Sequence, residues 1–68
     1  MKNRIRIERA ILDITQAELA ERVNVSRQTV NTIEAGKYIP STVLALKIAT
    51  TFCKTVEEVF SLEDSDWK

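Results

Sequence analysis

The polar run Arg27 to Thr29 follows directly after Ser26, a residue type that often begins a helix. An arginine guanidinium can donate two hydrogen bonds to guanine, and a glutamine amide such as that of Gln28 can pair with two atoms of adenine. A helix face that lies only in water carries the same residue types. The helices predicted around this run must therefore indicate whether it contacts bases or only faces water.

The composition gives little support for catalysis, metal binding or disulfide formation. The chain has no histidine, so the usual zinc-ligand sets and the commonest general base are missing. The single cysteine, Cys53, has no partner for a disulfide, and it follows Phe52 in an apolar stretch, where we expect it to pack in the core. The sequence predicts no enzyme, no metal site and no cofactor.

The length and charge of the chain limit the class of protein to which it can belong. With 68 residues, 44% of them hydrophobic and 29% charged, the chain is expected to form one domain over residues 1–68. No apolar run approaches a membrane span, so we expect a cytoplasmic protein without membrane association. The net charge is zero, but residues 1–37 carry +2 and residues 38–68 carry −2. Any binding of nucleic acid must therefore come from a local patch.

The apolar residues recur at helical spacing, and the single glycine and single proline offer few breaks. A first helix is predicted from about Asn3 to Asp13. A capping box, in which Thr15 and Glu18 satisfy each other's backbone N–H groups, predicts the start of a second helix. That helix should end near Val23, with Asn24 in the left-handed conformation.

Three more helices complete the predicted chain. One begins at Ser26 and ends at Gly36, a fourth opens at Pro40–Ser41, and the capping box Thr55–Glu58 opens a short fifth helix that runs through Phe60. The fourth helix should turn its apolar side inward, with Leu44, Ala45, Ile48, Ala49 and Phe52 in the core.

The tail, residues 61–68, is short and acidic. We expect loose chain beyond about Asp64, and the alternative is a strand within a dimer. Apolar residues beyond the needs of one small core are assigned to a dimer interface, although they could equally complete the core of a monomer; they are Ile11, Val59, Phe60, Leu62 and Trp67.

Residues 16–36 form a predicted helix, tight turn and helix, with the small Ala20 where the helices cross and Asn24 in the turn. This segment, QAELAERVNVSRQTVNTIEAG, with RIRIERAILDIT before it and LALKIATTFCKTVEEVF after it, resembles the Cro/lambda-repressor family, also called the xenobiotic response element family. The resemblance covers residues 3–62. It implies an all-α, five-helix lambda-repressor-like DNA-binding domain, with or without a short terminal strand, whose helix-turn-helix proper is residues 16–36.

In this family the third helix enters the major groove, which favours the base-reading interpretation of Arg27 and Gln28. Gln16, in the first turn of the second helix, is expected at a phosphate, because free N–H groups and the positive dipole end lie there. The loop after the third helix resembles the family's backbone-contacting segment. The predicted DNA-binding residues are Gln16, Arg27, Gln28, Thr29, Asn31, Thr32, Lys37, Tyr38 and Ser41.

The resemblance also implies a partly buried ion pair between Arg9 on the first helix and Glu34 near the end of the third. Two residues depart from the family pattern. Glu8 occupies a position where relatives usually carry a large apolar residue, and Asn24 replaces a frequent glycine. The packing of the first helix is therefore left open.

The resemblance implies a sequence-specific transcriptional regulator, with double-stranded DNA as its partner. It would act as a repressor and bind, as a homodimer, a palindromic operator with half-sites roughly 34 to 36 Å apart. An alternative keeps the fold but changes the class to a protein-interaction module, antitoxin-like or coactivator-bridging.

Overall fold

The computed structural model describes residues 1–68. Its five helices are α1 (Ile5–Leu12), α2 (Gln16–Val23), α3 (Arg27–Glu34), α4 (Thr42–Thr51) and α5 (Val56–Val59). The strands β1 (Lys2–Asn3) and β2 (Phe60–Ser61) form a two-stranded antiparallel sheet, and a 3₁₀ helix covers Asp64–Trp67. The predicted all-α, five-helix fold is confirmed. The longest helix, α4, has ten residues, and none of the helices could cross a bilayer.

Hydroxyl side chains begin four of the five helices. Thr15, Ser26, Ser41 and Thr55 each accept a hydrogen bond from the backbone N–H three residues later. The two predicted capping boxes are confirmed; in the first, the Thr15 N–H donates to the Glu18 carboxylate at 3.0 Å. These local bonds explain why the starts of these four helices could be predicted, whereas α1 has no side-chain cap at its start.

Four of the five helices are followed, within two residues, by a residue in the left-handed conformation. Asn24 adopts it after α2 with φ of 60°, as predicted, and Gly36 follows α3 with φ of 76°. Cys53 has φ of 57° and is exposed, so its expected place in the core is wrong. The reason is geometric: Phe52 closes α4 toward the core, and the left-handed residue after it turns outward.

The core lies between α2, α3 and α4, with residues of α1, α5 and β2 closing it. All five residues predicted for the inner side of α4 are buried. Val59 and Phe60 are buried as well, so for these two residues the monomer-core alternative is correct and the dimer-interface assignment is wrong. The core comprises Ile5, Ile14, Leu19, Ala20, Val23, Val30, Ile33, Leu44, Ala45, Ile48, Ala49, Phe52, Val59 and Phe60.

The ends of the chain differ from the prediction. Asn3 is paired with Phe60 in the sheet, so α1 begins two residues later than predicted and α5 ends one residue earlier. The Asn3 side chain donates to the Ile33 carbonyl at 2.9 Å and accepts from the Ile5 N–H at 3.2 Å. It therefore ties the start of α1 to the end of α3.

The predicted loose tail is also wrong. The α-amino group of Met1 lies 2.9 Å from a Glu63 carboxylate oxygen and 3.1 Å from one of Asp66. The Glu63 N–H donates to Asp66 at 2.8 Å, which closes the 3₁₀ turn. The strand β2 includes Ser61 of the tail, so a short terminal strand is present, and its partner is the N-terminus of the same chain rather than a strand of a second copy.

Helix α1 turns Ile5 and Glu8 inward and leaves Ile7, Ile11 and Leu12 exposed. Burial of a charge is costly when its oxygens have no partner. Glu8 makes no hydrogen bond or ion pair within the chain, and no fully buried side-chain oxygen lacks a partner, so the Glu8 carboxylate oxygens must still reach the solvent. A carboxylate at the edge of the core thus replaces the apolar residue that the family pattern would favour.

Candidate nucleic-acid interface

A tight turn sets the angle between α2 and α3. The Val25 N–H donates to the Ala20 carbonyl at 3.0 Å, and Asn24 supplies the left-handed residue. Ala20, whose side chain is a single methyl group, is buried next to this turn. Val30 and Ile33 fix the inner side of α3 in the core, so its outer side is held by packing rather than by the turn alone.

Arg27, Gln28 and Asn31 are exposed on the outer side of α3. None of the structure's ion pairs involves Arg27, and the Gln28 side chain donates no hydrogen bond within the chain. Their guanidinium and amide groups are therefore available to a partner. An exposed side chain at the first turn of a helix that is rigidly packed is well placed to reach into a groove.

Thr29 and Thr32 have a different local role. The Ser26 and Thr29 hydroxyls are 2.9 Å apart, and the Thr29 N–H donates to the Ser26 hydroxyl at 3.1 Å. The Thr32 hydroxyl donates to the carbonyls of Gln28 and Thr29, at 3.1 and 2.9 Å. These hydroxyls stabilise the first turns of α3, and both residues are half-buried.

Gln16 lies at the start of α2, and its side-chain amide donates to the side-chain oxygen Oδ1 of Asn31 at 3.3 Å. Two residues predicted separately as contacts thus form one unit across the two helices. The sequence offered no signal for this bond, because fifteen positions separate the residues and only the packing of α2 on α3 brings them together. The bond leaves the Asn31 amide N–H groups free to donate outward.

The loop between α3 and α4 carries the other predicted residues. Lys37 and Tyr38 are exposed, and the Lys37 N–H donates to the Thr32 carbonyl at 3.0 Å, which holds the loop against the end of α3. Ser41 begins α4 by accepting from the Leu44 N–H at 3.2 Å. The loop thus begins at the end of α3 and ends at the hydroxyl that caps α4.

An arginine fork holds the far end of α3. Arg9 donates from Nε and Nη2 to the two carboxylate oxygens of Glu34, each at 3.0 Å, and from Nη1 to the Ile14 carbonyl at 3.0 Å. The side chains of Arg9 and Glu34 are only 16% and 2% exposed. Arg6, at 3.8 Å from Glu34, is almost fully exposed. The bidentate pair fixes α3 against α1 in one orientation.

The carboxylate of Glu18 lies in the same helix turn as Gln16. Hydrogen bonds from the Thr15 backbone and side chain hold the pKa of Glu18 below its ordinary value of 4.5. The Glu18 carboxylate is therefore ionised at neutral pH, and it accepts the backbone N–H of Thr15 at the start of α2. No cluster of three or more cysteine, aspartate or glutamate side chains is arranged to hold a metal ion.

Comparison with known proteins gives the same family throughout. The family model described as helix-turn-helix matches residues 5–59. An uncharacterized HTH-type transcriptional regulator of Methanocaldococcus jannaschii is 47% identical over 66 residues, which are 97% of this chain and 100% of the relative. The regulator YgzD of Bacillus subtilis has the same identity and coverage. Another regulator, from Methanothermobacter thermautotrophicus, is 44% identical over 69 residues and is covered completely.

Proposed function

The chain belongs to the helix-turn-helix family of DNA-binding transcriptional regulators, and from that premise we propose that it represses transcription by binding a palindromic operator as a homodimer. The family's third helix enters the major groove. The observation that carries the proposal is the outer side of α3, where Arg27 and Gln28 are exposed at the first turn of a helix held by Ser26, by the core and by the Arg9–Glu34 pair.

In this proposal Arg27 and Gln28 read base edges. Arginine pairs with guanine O6 and N7 and glutamine with adenine N6 and N7, and each pair discriminates against a wrong base by about 1 to 3 kcal/mol. Asn31 donates to a neighbouring base, with its amide oriented by Gln16. The methyl groups of Thr29 and Thr32 supply apolar contact, such as that with a thymine methyl.

Other residues position the protein on the sugar-phosphate backbone. Gln16 lies where the N-terminus of α2 attracts a phosphate, and Lys37, Tyr38 and Ser41 lie beside the start of α4. Such contacts add affinity for every DNA sequence equally. Since the overall charge is zero, salt dependence must come from local cationic side chains, and Lys37 is the cation of this group.

The test begins with selection of bound fragments from genomic DNA, followed by titration of the selected site. Arg27→Ala and Gln28→Ala should each cost about 1 to 3 kcal/mol of binding and relax the preference at one base pair. Lys37→Ala should weaken binding to all sequences and lower the salt slope by about one. Lys54→Ala removes the same charge from an exposed residue beside α5 and serves as the control.

Binding that is insensitive to salt and to both α3 substitutions would contradict the proposal. It would favour a protein-interaction module with the same fold, because the outer side of α3 would then have no role in DNA recognition.

A further inference from the structure

A shallow groove runs along the outer side of α4, with the end of α2 as its second wall. It has a volume of about 450 Å³ and is lined by Arg22 of α2 and, on α4, by Val43, Leu46, Lys47, Thr50 and Thr51. The five α4 residues recur at the three- and four-residue spacing of one helix face, so this face borders the groove along nearly the whole helix. We call this surface the α2–α4 groove.

The outer side of α4 is apolar where a helix facing water would be polar. Val43 and Leu46 are 63% and 52% exposed, although the opposite side of the same helix already supplies four buried residues to the core. A helix that packs on one side only is expected to carry polar residues on the other. Exposed aliphatic side chains that line a groove together favour a surface that another molecule covers.

Both charged side chains of the α2–α4 groove are cations, and neither has a partner in the chain. None of the ion pairs of the structure includes Arg22 or Lys47. Glu18, one turn before Arg22 on α2, accepts the Thr15 N–H at 3.0 Å and forms no ion pair. No acidic residue lines the groove. The charge of the groove is therefore complementary to carboxylates brought by a partner.

The shape of the α2–α4 groove indicates the size of its occupant. Five of the six lining residues are exposed, so the groove is too open to bury most of the surface of a small molecule, as ligand pockets do. From Val43 to Thr51 it extends about 12 Å along α4, which matches about two turns of a second helix. Amphipathic helices bind in such grooves by laying their apolar side on exposed apolar residues.

We propose that the α2–α4 groove binds an acidic amphipathic helix of another protein. Apolar residues of that helix pack on Val43 and Leu46. Its carboxylates pair with Arg22 on α2 and with Lys47 on α4. The aliphatic residues between the two cations distinguish this site from a site for phosphates, which need donors but gain nothing from apolar contact.

The groove is separate from the residues assigned to DNA and to a dimer. Arg27 and Gln28 do not line it, and neither do Ile11, Leu62 and Trp67, the exposed residues predicted for a dimer interface. We therefore expect one molecule to bind DNA and the acidic helix at the same time. A polypeptide partner goes beyond the proposed function, and its binding can be measured without DNA.

The first experiment titrates the full chain with a synthetic acidic helix and follows the backbone amide resonances. The probe is a lactam-bridged peptide of about 14 residues, because an unconstrained helix of that length is marginal in water. It carries leucines along one face and glutamates on both sides of them. Resonances of Arg22 and of residues 43–51 should shift and saturate. A matched peptide with glutamine for each glutamate should bind about 10-fold more weakly, because it lacks the charges that pair with the cations.

Charge reversal in the chain tests the two cations. Arg22→Glu and Lys47→Glu should each raise the dissociation constant of the acidic peptide about 10-fold, and more at low than at high salt, because attraction becomes repulsion. Lys54→Glu makes the same charge change at an exposed residue outside the groove and should change the constant by less than about twofold. A peptide with lysine for each glutamate should bind the double variant of Arg22 and Lys47 more tightly than the native chain. Circular dichroism establishes that the variants fold.

The proposal is overturned if the acidic peptide does not saturate the native chain up to about 1 mM, if the glutamine peptide binds equally well, or if Lys54→Glu weakens binding as much as Lys47→Glu. In titration of the selected DNA site, Lys47→Glu should behave like Lys54→Glu, and a larger loss would assign Lys47 to the DNA instead. Sedimentation provides the last test: if the acidic peptide dissociates a native dimer, the groove belongs to a second copy of the chain and the proposal is wrong.

Discussion

At the scale of single residues, the structure depends on one buried carboxylate. Glu34 is removed from water near the end of α3, and its charge is balanced by the Arg9 fork. A buried ion pair adds little net stability compared with well-packed apolar residues, but removal of one partner leaves an uncompensated charge. The pair therefore acts as a constraint on the orientation of α3.

Arg9→Ala should lower the free energy of unfolding by about 3 kcal/mol, because it strands the Glu34 carboxylate. Arg6→Ala removes the same charge from an exposed side chain near that carboxylate and should cost only about 0.5 kcal/mol. Urea unfolding of both variants measures the difference. Equal losses in the two variants would show that the Arg9 fork has no special role.

At the scale of elements, the helices are specified largely at their ends. The capping boxes hold the pKa values of Glu18 and Glu58 below 4.5, mainly through hydrogen bonds from the backbones of Thr15 and Thr55. A lowered pKa means that the folded state favours the ionised carboxylate. The resulting stabilisation is complete above the ordinary pKa and is lost as the pH falls through the lowered one.

The double variant Glu18→Gln with Glu58→Gln should therefore show a shallower loss of unfolding free energy than the native chain as the pH falls below 4.5. Glutamine can still accept the capping bond but carries no titrating charge. Urea unfolding at a series of acid pH values measures the slope. The matched control replaces two exposed carboxylates outside the boxes, Glu21 and Glu57, and a change of slope as large in this control would contradict the role of the boxes.

The residues with left-handed backbone conformation after α2 and α3 lead to a second prediction at this scale. Gly36→Ala should cost about 1 kcal/mol, since φ is 76° and an added Cβ meets no atom within 4 Å, so only backbone strain contributes. Asn24→Gly should change stability by less than about 0.5 kcal/mol, because asparagine already tolerates φ of 60°. Thermal unfolding measures both. A larger loss in Asn24→Gly would reveal a role for its side chain beyond the turn.

At the scale of the whole molecule, the two ends of the chain close the fold together. The sheet pairs Lys2 with Ser61 and Asn3 with Phe60, and the Met1 amine holds the 3₁₀ helix. Hydrogen bonds from the amine to Glu63 and Asp66 raise its pKa above the ordinary value of 8.0. The pKa of Asp66 is lowered, first by the Glu63 backbone and then by the amine.

The contact of Met1 with the tail should therefore weaken as the pH rises above 8.0 and through the raised pKa of the amine, where the charge is lost. The indole N–H resonance of Trp67, in the 3₁₀ helix, should shift over that range. A chain acetylated at its amine should show no such step and should resemble the high-pH state throughout. A step that persists after acetylation would assign the change to another group.

Local patterns in the sequence determined the number of helices, their starts at Thr15, Ser26, Ser41 and Thr55 and the inner side of α4. They could do so because caps and apolar spacing depend on residues within one or two turns. The candidate residues of α3 also followed from their position after a cap. The hydrogen bond between Gln16 of α2 and Asn31 of α3 could not be predicted in this way.

Only the tertiary structure decided the features that join distant parts of the chain. These features are the pairing of β1 with β2, the contact of the tail with Met1 and the outward position of Cys53. Each depends on where a chain end or a helix end lies once the helices have packed. Two-residue strands carry no periodic signal of their own, and their backbone groups find partners only after the core has brought the two ends together.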